Sequence, residues 1–156
     1  MLGAGGAARA IGVELALAGA SSLTVVNRSE KRGRALVEHL TAETGVEAEF
    51  LPWTEPIEVP KQCDVLVNAT SLGLYPNVSE YAPIDFSRLS SDLLVADVIP
   101  NPPKTAFIKR AAERGCKTID GLGMLVNQGR IGIELWTGIT PDVTVMRRAL
   151  EELFSG

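Results

Sequence analysis

The first ten residues contain the most informative spacing in the chain. Gly3-Ala-Gly-Gly6 predicts a tight turn after the apolar Leu2, and the residues from Ala7 onward predict a helix. The spacing Gly3-x-Gly5-x-x-Ala8 is the alanine-ended form of the dinucleotide fingerprint, in which small residues let the backbone approach a pyrophosphate and the helix approach the sheet. The helix N-terminus adds free N–H groups and a positive dipole end. The pattern therefore predicts nucleotide binding, although similar turns exist that bind nothing.

A second group of polar residues follows the next predicted strand. An NAD-binding domain would place an acidic residue there to accept hydrogen bonds from the ribose hydroxyls. This chain instead has Asn27-Arg28-Ser29, with Arg32 one helical turn later. Two guanidinium groups and a hydroxyl suit a phosphate dianion, which a carboxylate would repel. The residues favour NADP over NAD; the alternative is that both arginines belong to a solvated helix face.

Two further turns carry small or flexible residues. Residues 68–74 (Asn-Ala-Thr-Ser-Leu-Gly-Leu) can cradle ribose and phosphate groups, or can form an ordinary hydroxyl-stabilised turn. Residues 120–128 contain two glycines that allow close backbone approach, Met124 as an apolar wall, and Gln128 one turn beyond it. The alternative is that Met124 is an ordinary core residue and Gln128 an ordinary surface residue. Trp53 is interpreted as a packing residue.

Strands and helices alternate along the chain. Helices are predicted at residues 7–18, 29–44, 105–114, 123–136 and 141–154, and strands at 23–27, 46–51, 63–68, 93–98 and 117–119. A long irregular segment covers residues 69–91. This order predicts an α/β fold with a doubly wound parallel sheet of the Rossmann type, in which ligands lie at the carboxyl ends of the strands.

Length and composition set the broad class. The 156 residues are 46% hydrophobic and 22% charged, which indicates a single globular domain over residues 1–156. The net charge of −4 argues against nucleic acid, and no apolar run is long enough for a membrane helix. Cys63 and Cys116 stand apart without nearby histidines, so we expect buried thiols, no metal site and a cytoplasmic location.

The first strand of the predicted sheet is short, because only Met1 and Leu2 precede the glycine turn. A central strand of this fold needs about five residues. We therefore expect a fragment of a longer chain with a gap in the sheet and marginal stability. A strand from another chain would fill this gap, and a homodimer is one such arrangement.

Several strings together resemble one enzyme family. They are Gly3-Ala-Gly-Gly-Ala-Ala-Arg9, Asn27-Arg-Ser29, Asn68-Ala-Thr-Ser71, Asp120-Gly-Leu-Gly-Met-Leu-Val-Asn-Gln128 and Leu135-Trp-Thr-Gly138. In order and spacing they resemble the C-terminal NADP-binding domain of shikimate dehydrogenase, over essentially the whole chain. The resemblance implies reversible hydride transfer between NADP(H) and 3-dehydroshikimate or shikimate.

The resemblance also implies roles for individual residues. The pyrophosphate would lie on Gly3, Ala4, Gly5, Gly6 and Ala7, and the adenosine 2′-phosphate on Asn27, Arg28, Ser29 and Arg32. Thr70 and Ser71 would lie along the cofactor, Val98, Gly121 and Met124 would border the nicotinamide, and Gln128 would reach a substrate hydroxyl.

Two departures from the family pattern affect the predicted activity. The catalytic lysine and aspartate of the family belong to an N-terminal substrate domain, and neither of its motifs occurs here, so no catalytic residue is assigned and the chain alone is expected to be inactive. Pro100 stands where the family usually has a substrate-contacting tyrosine. Shikimate, quinate or a related polyol acid therefore remain candidate substrates. The residues also leave open a glutamyl-tRNA reductase relative, a non-catalytic NADP-binding module and a ligand-free Rossmann-like domain.

Overall fold

Parallel strands alternate with helices along the chain, which confirms the predicted α/β class. The structure, a computed structural model, describes residues 1–53 and 55–154. The helices are α1 (Gly6–Leu17), α2 (Glu30–Thr44), α3 (Ala106–Glu113), α4 (Gly121–Thr137) and α5 (Val143–Phe154). The strands are β1 (Ser22–Asn27), β2 (Glu47–Pro52), β3 (Val65–Asn68), β4 (Leu94–Asp97) and β5 (Lys117–Ile119).

All pairings within the sheet are parallel. β1 pairs with β2, and β3 lies beside β4, which pairs with β5. Leu2 joins the two groups through parallel bridges to Val26 and Asn68. The sheet order is therefore β2, β1, the Leu2 segment, β3, β4, β5, which is the doubly wound order with Leu2 in the position of its first strand.

The sheet buries apolar side chains on both faces. On one face, Ala8 of α1 and Leu36 and Leu40 of α2 pack in a cluster with Val25 and Val67 of the strands. On the other face, Phe107, Ile108 and Ala111 of α3 pack in a cluster that includes Leu2, Leu66 and Val95. Adjacent strand residues thus point to opposite clusters, as the period of a strand requires.

The long segment predicted to be irregular contains some order. A 3₁₀ turn covers Phe86–Arg88, and Ile84 forms a parallel bridge with Ile57. The rings of Phe86 and Phe107 meet edge to face with centroids 5.8 Å apart. These contacts anchor the segment to α3, and the sequence did not indicate them because they join residues far apart in the chain.

The last two helices pack mainly on each other. α4 begins two residues earlier than predicted, because Asp120 caps it by accepting hydrogen bonds from the N–H groups of Leu122 and Gly123. Both helices leave large apolar side chains exposed, such as Leu135 and Trp136 of α4 and Leu153 of α5. None of the described helices is long and apolar enough to cross a membrane.

A cavity of about 470 Å³ separates the early parts of β1 and β3. It lies on the amino-terminal side of Leu2, between residues 22–24 of β1 and residues 64–66 at the start of β3. This is the position that the first strand occupies in a doubly wound sheet. It is at the opposite end of the sheet from the turns that follow the strands.

Candidate functional site

The predicted site residues lie in turns at the carboxyl ends of neighbouring parallel strands and at the start of α4. Backbone hydrogen bonds connect these turns to one another. The N–H of Ala69 donates to the carbonyl of Leu2 (2.9 Å), and the N–H of Val98 donates to that of Asn68 (3.1 Å). The turns after Leu2, β3 and β4 therefore form one edge, where ligands bind in open α/β sheets.

The glycine turn after Leu2 has the geometry that its sequence predicts. Gly3 adopts a φ of +100°, and a Cβ there would lie 2.7 Å from the carbonyl oxygen of Ala69. Gly5 is the exposed N-cap residue of α1 and makes no side-chain capping bond. The first N–H groups of α1 therefore face an open edge, where an anion can accept hydrogen bonds from them.

The turn after β1 presents two cations. Buried Asn27 fixes its course by donating from Nδ2 to the carbonyl of Ser29 (2.9 Å), while the Ser29 hydroxyl caps α2 by accepting from the N–H of Arg32 (3.4 Å). Arg28 and Arg32 are both exposed. Neither forms an ion pair with any described residue, so both guanidinium groups are available to a phosphate.

Trp53 was predicted to be a packing residue, and it also contacts Arg28. Its ring packs against the cluster around Leu2, and the Arg28 guanidinium carbon lies 5.9 Å from the ring centroid. This distance is within the range of a weak cation–π contact. The sequence did not indicate the pair, because it forms only when β1 and β2 lie side by side.

The turn after β3 uses Thr70 and Ser71 differently. The Thr70 hydroxyl donates to Asn68 Oδ1 (2.7 Å) and accepts from the N–H of Leu72 (3.2 Å), so it stabilises the turn. Ser71 is exposed, and its hydroxyl makes no hydrogen bond to any residue that the structure describes. Of the two predicted residues, Ser71 is the one whose hydroxyl can bind a ligand without losing an internal partner.

The start of α4 lies directly against the turn after β4. A Cβ on Gly121 would lie 2.5 Å from backbone atoms of Val98 and Ile99, which shows how closely the two backbones approach. Met124 is half-buried and Gln128 is exposed further along the same helix. The structure thus brings Val98 and Gly121 together, with Met124 and Gln128 along one helix beyond them.

An ion pair from α5 holds the start of α4. Arg147 Nη2 lies 2.6 Å from Asp120 Oδ2, and Nη1 lies 3.3 Å from Oδ1. Burial alone would raise the pKa of Asp120, but the hydrogen bonds from Arg147, Gly123 and Leu122 and the charge of Arg147 lower it below its usual value. The Asp120 carboxylate therefore stays ionised, and it both caps α4 and forms an ion pair with Arg147 of α5.

The two cysteines precede β3 and β5, so they lie at the opposite end of the sheet from these turns. Cys63 and Cys116 are free, and burial raises the pKa of each thiol. Within residues 1–53 and 55–154, no cluster of three or more histidine, cysteine, aspartate or glutamate side chains is arranged to hold a metal ion.

Three buried polar residues below the turns received no individual role from the sequence, although one of them, Asn68, begins the predicted turn 68–74. They are Asn68, Asp97 and Thr105; the side chains of Asn68 and Thr105 each donate a hydrogen bond to the Asp97 carboxylate. A signal was present, because Asn68 and Asp97 each end an apolar strand that is otherwise buried, and a buried polar group needs a partner. Their pairing could be seen only once β3 and β4 were placed in register.

Comparison with known proteins identifies two matching family descriptions. "Shikimate / quinate 5-dehydrogenase" matches residues 1–99, and "Shikimate 5'-dehydrogenase C-terminal domain" matches residues 121–151. A relative named shikimate dehydrogenase (NADP(+)), from Desulforamulus reducens, is 40% identical over 154 residues, which are 97% of this chain and 53% of the relative.

Solved structures of similar proteins have the same fold. The ligand-free 5-ketofructose reductase of Gluconobacter sp. strain CHM43 is 49% identical with a TM-score of 0.91, covering 98% of this chain and 55% of that one. A shikimate dehydrogenase in complex with NADP⁺ is 32% identical with a TM-score of 0.87, covering 98% and 53%. The chain thus spans about half the length of each of these proteins.

Proposed function

The chain belongs to the shikimate/quinate 5-dehydrogenase family, and from that membership we propose that residues 1–156 act as the NADP-binding domain of an oxidoreductase. The observation that carries the proposal is a pair of exposed cations, Arg28 directly after β1 and Arg32 in the first turn of α2, that form no ion pair with any residue the structure describes. Arg28 stands where an NAD-binding domain has a carboxylate.

The nucleotide would lie across the turns at the carboxyl ends of the strands. Its pyrophosphate would lie on the turn formed by Gly3, Ala4, Gly5, Gly6 and Ala7 and would accept hydrogen bonds from N–H groups at the start of α1, which has no side-chain cap. Gly3 itself only allows the close approach, because its N–H donates to the Val26 carbonyl (2.8 Å). Its 2′-phosphate would be bound by Arg28 and Arg32, with Asn27 and Ser29 shaping the turn that presents them.

The nicotinamide end would lie near the turns after β3 and β4. Ser71 would contact the cofactor, with Thr70 holding the turn, and Val98, Gly121 and Met124 would border the ring. Gln128, exposed on α4, would reach a substrate hydroxyl. NADP(H) supplies the hydride-transfer chemistry, and these residues would bind and orient it.

The proposed substrate is shikimate, interconverted with 3-dehydroshikimate, or a related polyol acid such as quinate. The likeness to 5-ketofructose reductase favours a second candidate, a keto sugar, because it reaches 49% identity. Pro100 follows the turn after β4 and lacks any hydroxyl with which to recognise substrate.

Titration of the NADP-loaded chain with shikimate, quinate and 5-ketofructose separates these candidates. The ligand that shifts the amide signals of Met124 and Gln128 in NMR spectra is the one recognised.

The chain alone is proposed to bind nucleotide without turnover. The residues assigned to the site offer cations, hydroxyls and backbone groups, but no general acid for a carbonyl oxygen. A non-catalytic NADP-binding module would have the same nucleotide affinity.

We also propose that a second copy can fill the gap beside Leu2, which would give a homodimer.

Calorimetric titration of NADP and NAD tests the cofactor assignment. We expect wild type to bind NADP at least tenfold more tightly than NAD. Arg28→Ala should lose about tenfold or more for NADP and little for NAD, because a charge-assisted hydrogen bond is worth about 1.5–3 kcal/mol. Arg148→Ala on α5 removes the same charge from an exposed position and should leave both affinities unchanged.

Two results would contradict the assignment. Equal losses for NADP and NAD in Arg28→Ala would show that Arg28 does not distinguish the 2′-phosphate. Failure of the folded wild-type chain to bind either nucleotide would support a Rossmann-like domain without a ligand.

A further inference from the structure

Strands β3 and β4 each end in a buried polar residue directly opposite the other. Asn68 and Asp97 are paired in the parallel register and are 0% and 3% exposed. The Asn68 side chain donates from Nδ2 to Asp97 Oδ1 across 3.0 Å. A polar pair here costs desolvation energy, and apolar residues would fill the interior more cheaply, so its presence needs an explanation.

Asp97 accepts three hydrogen bonds in this interior. Besides Asn68, the Thr105 hydroxyl donates to Oδ2 (2.7 Å) and the N–H of Ile99 donates to Oδ1 (3.1 Å). Burial raises the pKa of Asp97, while these hydrogen bonds oppose that rise; no charged side chain contributes among the described groups. The carboxylate is thus held by neutral donors from β3, the turn after β4 and the start of α3.

The carboxylate fixes the orientation of the Asn68 amide. A carboxylate only accepts, so the amide must turn its NH₂ group towards Asp97 and its oxygen away. That oxygen accepts from the N–H of Thr70 (3.2 Å) and from its hydroxyl (2.7 Å). The same hydroxyl accepts from the N–H of Leu72, so the whole turn that carries Ser71 depends on this orientation.

We propose that Asp97 and Asn68 are positioning residues, which set nucleotide affinity through the turn at Thr70–Leu72 without touching the nucleotide. The inference rests on the proposed nucleotide site, since Ser71 and Val98 lie in the two turns that the pair joins. The turn after β3 also meets the glycine turn, because the Ala69 carbonyl lies against Gly3. A shift of the Asn68 amide would therefore move Ser71 relative to the pyrophosphate-binding backbone.

The variant Asn68→Asp makes this coupling depend on pH. Two carboxyl groups at this separation must share a proton, because both cannot be ionised together. With the proton present, the second carboxyl still accepts from Thr70 and the turn is retained. As the pH rises and that proton is lost, repulsion separates the strand ends. We expect the ratio of NADP affinities, variant to wild type, to fall at least tenfold from mildly acidic to alkaline pH. Taking the ratio cancels the titration of the nucleotide itself.

Asp97→Asn is the matched control for charge. Its amide oxygen can still accept from Asn68 and Ile99, and its NH₂ group can donate to the Thr105 hydroxyl, which accepts as well as donates. Because an amide donates as well as accepts, it no longer forces one orientation of the Asn68 amide, so we expect NADP affinity to fall by a factor of about three to ten. The ratio of affinities, variant to wild type, should not change with pH, because no second carboxyl group is present. In the double variant Asn68→Asp/Asp97→Asn, one carboxylate again faces one amide, so the pH dependence of the ratio should disappear.

A purely structural role gives a different result. Each affinity is measured by calorimetry on protein whose folded state is verified by circular dichroism at the same pH. If Asn68→Asp loses stability with pH while its folded form binds NADP as wild type does, the inference is wrong. If wild type itself binds no NADP, the proposed function fails instead.

Thr70→Val tests the same path if Asn68→Asp does not fold. It removes the hydroxyl that links Asn68 to Leu72 at a half-exposed position and keeps the side-chain shape. We expect affinity for NADP and NAD to fall by a similar factor of about five or more, because the turn does not contact the 2′-phosphate. Unchanged affinity for both nucleotides would overturn the inference.

Discussion

Gly121 shows how a single residue can fix the distance between two turns of the candidate site. A Cβ there would lie 2.5 Å from the carbonyl carbon and oxygen of Ile99 and from the carbonyl carbon of Val98. These are backbone atoms, so no side-chain rotation can relieve the overlap. Gly123, in the same first turn of α4, has only the end of the Arg147 side chain nearby, at 3.8 Å. Substitution of Gly123 by alanine is therefore a matched control for the same substitution at Gly121.

Gly121→Ala should reduce both stability and nucleotide affinity. We expect a loss of about 1–3 kcal/mol in the free energy of unfolding, because forcing an extra methyl group against fixed atoms shifts the backbone. Gly123→Ala should be neutral or stabilising by up to about 1 kcal/mol, because alanine is the better helix former. Urea unfolding and NADP titration of both variants measure this. Equal effects of the two substitutions would show that the approach at Gly121 is not the constraint.

The residues of the site differ in how far the sequence could predict them. Gly3 and Ser29 are local signals, a glycine turn and a helix cap, and the structure shows both geometries. The assignment of Arg28 to a 2′-phosphate remains a prediction, since it concerns a ligand. The Asn68–Asp97 pair required the strand register, which depends on packing of the whole sheet and not on either residue's neighbours in sequence.

At the scale of elements, α4 and α5 are joined through one charged contact at the site. Asp120 caps α4 and pairs with Arg147 of α5, whose side chain also meets Glu151 at 2.8 Å. The sequence predicted both helices, but it placed the start of α4 at residue 123 instead of Gly121. The cap explains the earlier start, since Asp120 satisfies N–H groups that would otherwise lack partners.

The variant Asp120→Asn removes the negative charge that pairs with Arg147 but keeps a side chain that can cap α4. Asparagine is also a good N-cap, so the helix start should be retained while the ion pair with Arg147 is lost. The pKa of Asp120 is lowered in the folded state, so its contribution to stability is present above its unfolded pKa of about 3.9 and is lost as the pH falls through the lower folded value.

We therefore expect wild type to exceed Asp120→Asn by about 1 kcal/mol in free energy of unfolding at neutral pH, since the pair is only partly buried. The difference should shrink as the pH falls below about 4. Urea unfolding at several pH values checks this, with Arg148→Met as the control for an exposed pair whose atoms are 4.0 Å apart. If wild type and Asp120→Asn differed by the same free energy of unfolding at every pH, the ion pair with Arg147 would not be the source of the difference.

At the scale of the molecule, the sheet continues on both sides of a gap. Leu2 pairs with both β1 and β3, and the Met1 nitrogen donates to the carbonyl of Thr24 (2.7 Å), as a further strand residue would. Beyond Met1, the cavity of about 470 Å³ lies between the two strand edges. The sequence predicted this short strand from its two residues before the glycine turn. The contacts of residues 69–91 were not predictable, because they depend on the position of α3.

Extension of the chain at its N-terminus by four residues such as Arg-Val-Leu-Val should fill the gap. The added backbone continues the ladder on both sides, and each buried side chain contributes about 1.5–3 kcal/mol against about 1–2 kcal/mol for ordering each backbone residue. With the added hydrogen bonds, we expect the free energy of unfolding to rise by about 2 kcal/mol or more. An extension Gly-Ser-Gly-Ser of equal length should give little gain, because it adds no apolar side chain. If both extensions gave the same stability, the cavity would not be a strand site.

The same two extensions test whether a second copy fills the gap. If copies associate by lending a strand across it, the unextended chain and the Gly-Ser extension should form dimers, and the apolar extension should be monomeric because it occupies the site within its own chain. Small-angle scattering over a concentration series measures the mass of each. A monomeric unextended chain that is also well folded would contradict the homodimer. Dimers that persist with the apolar extension would place the contact elsewhere, and the exposed apolar side chains of α4 and α5, including Leu135 and Trp136, are the surface to substitute next.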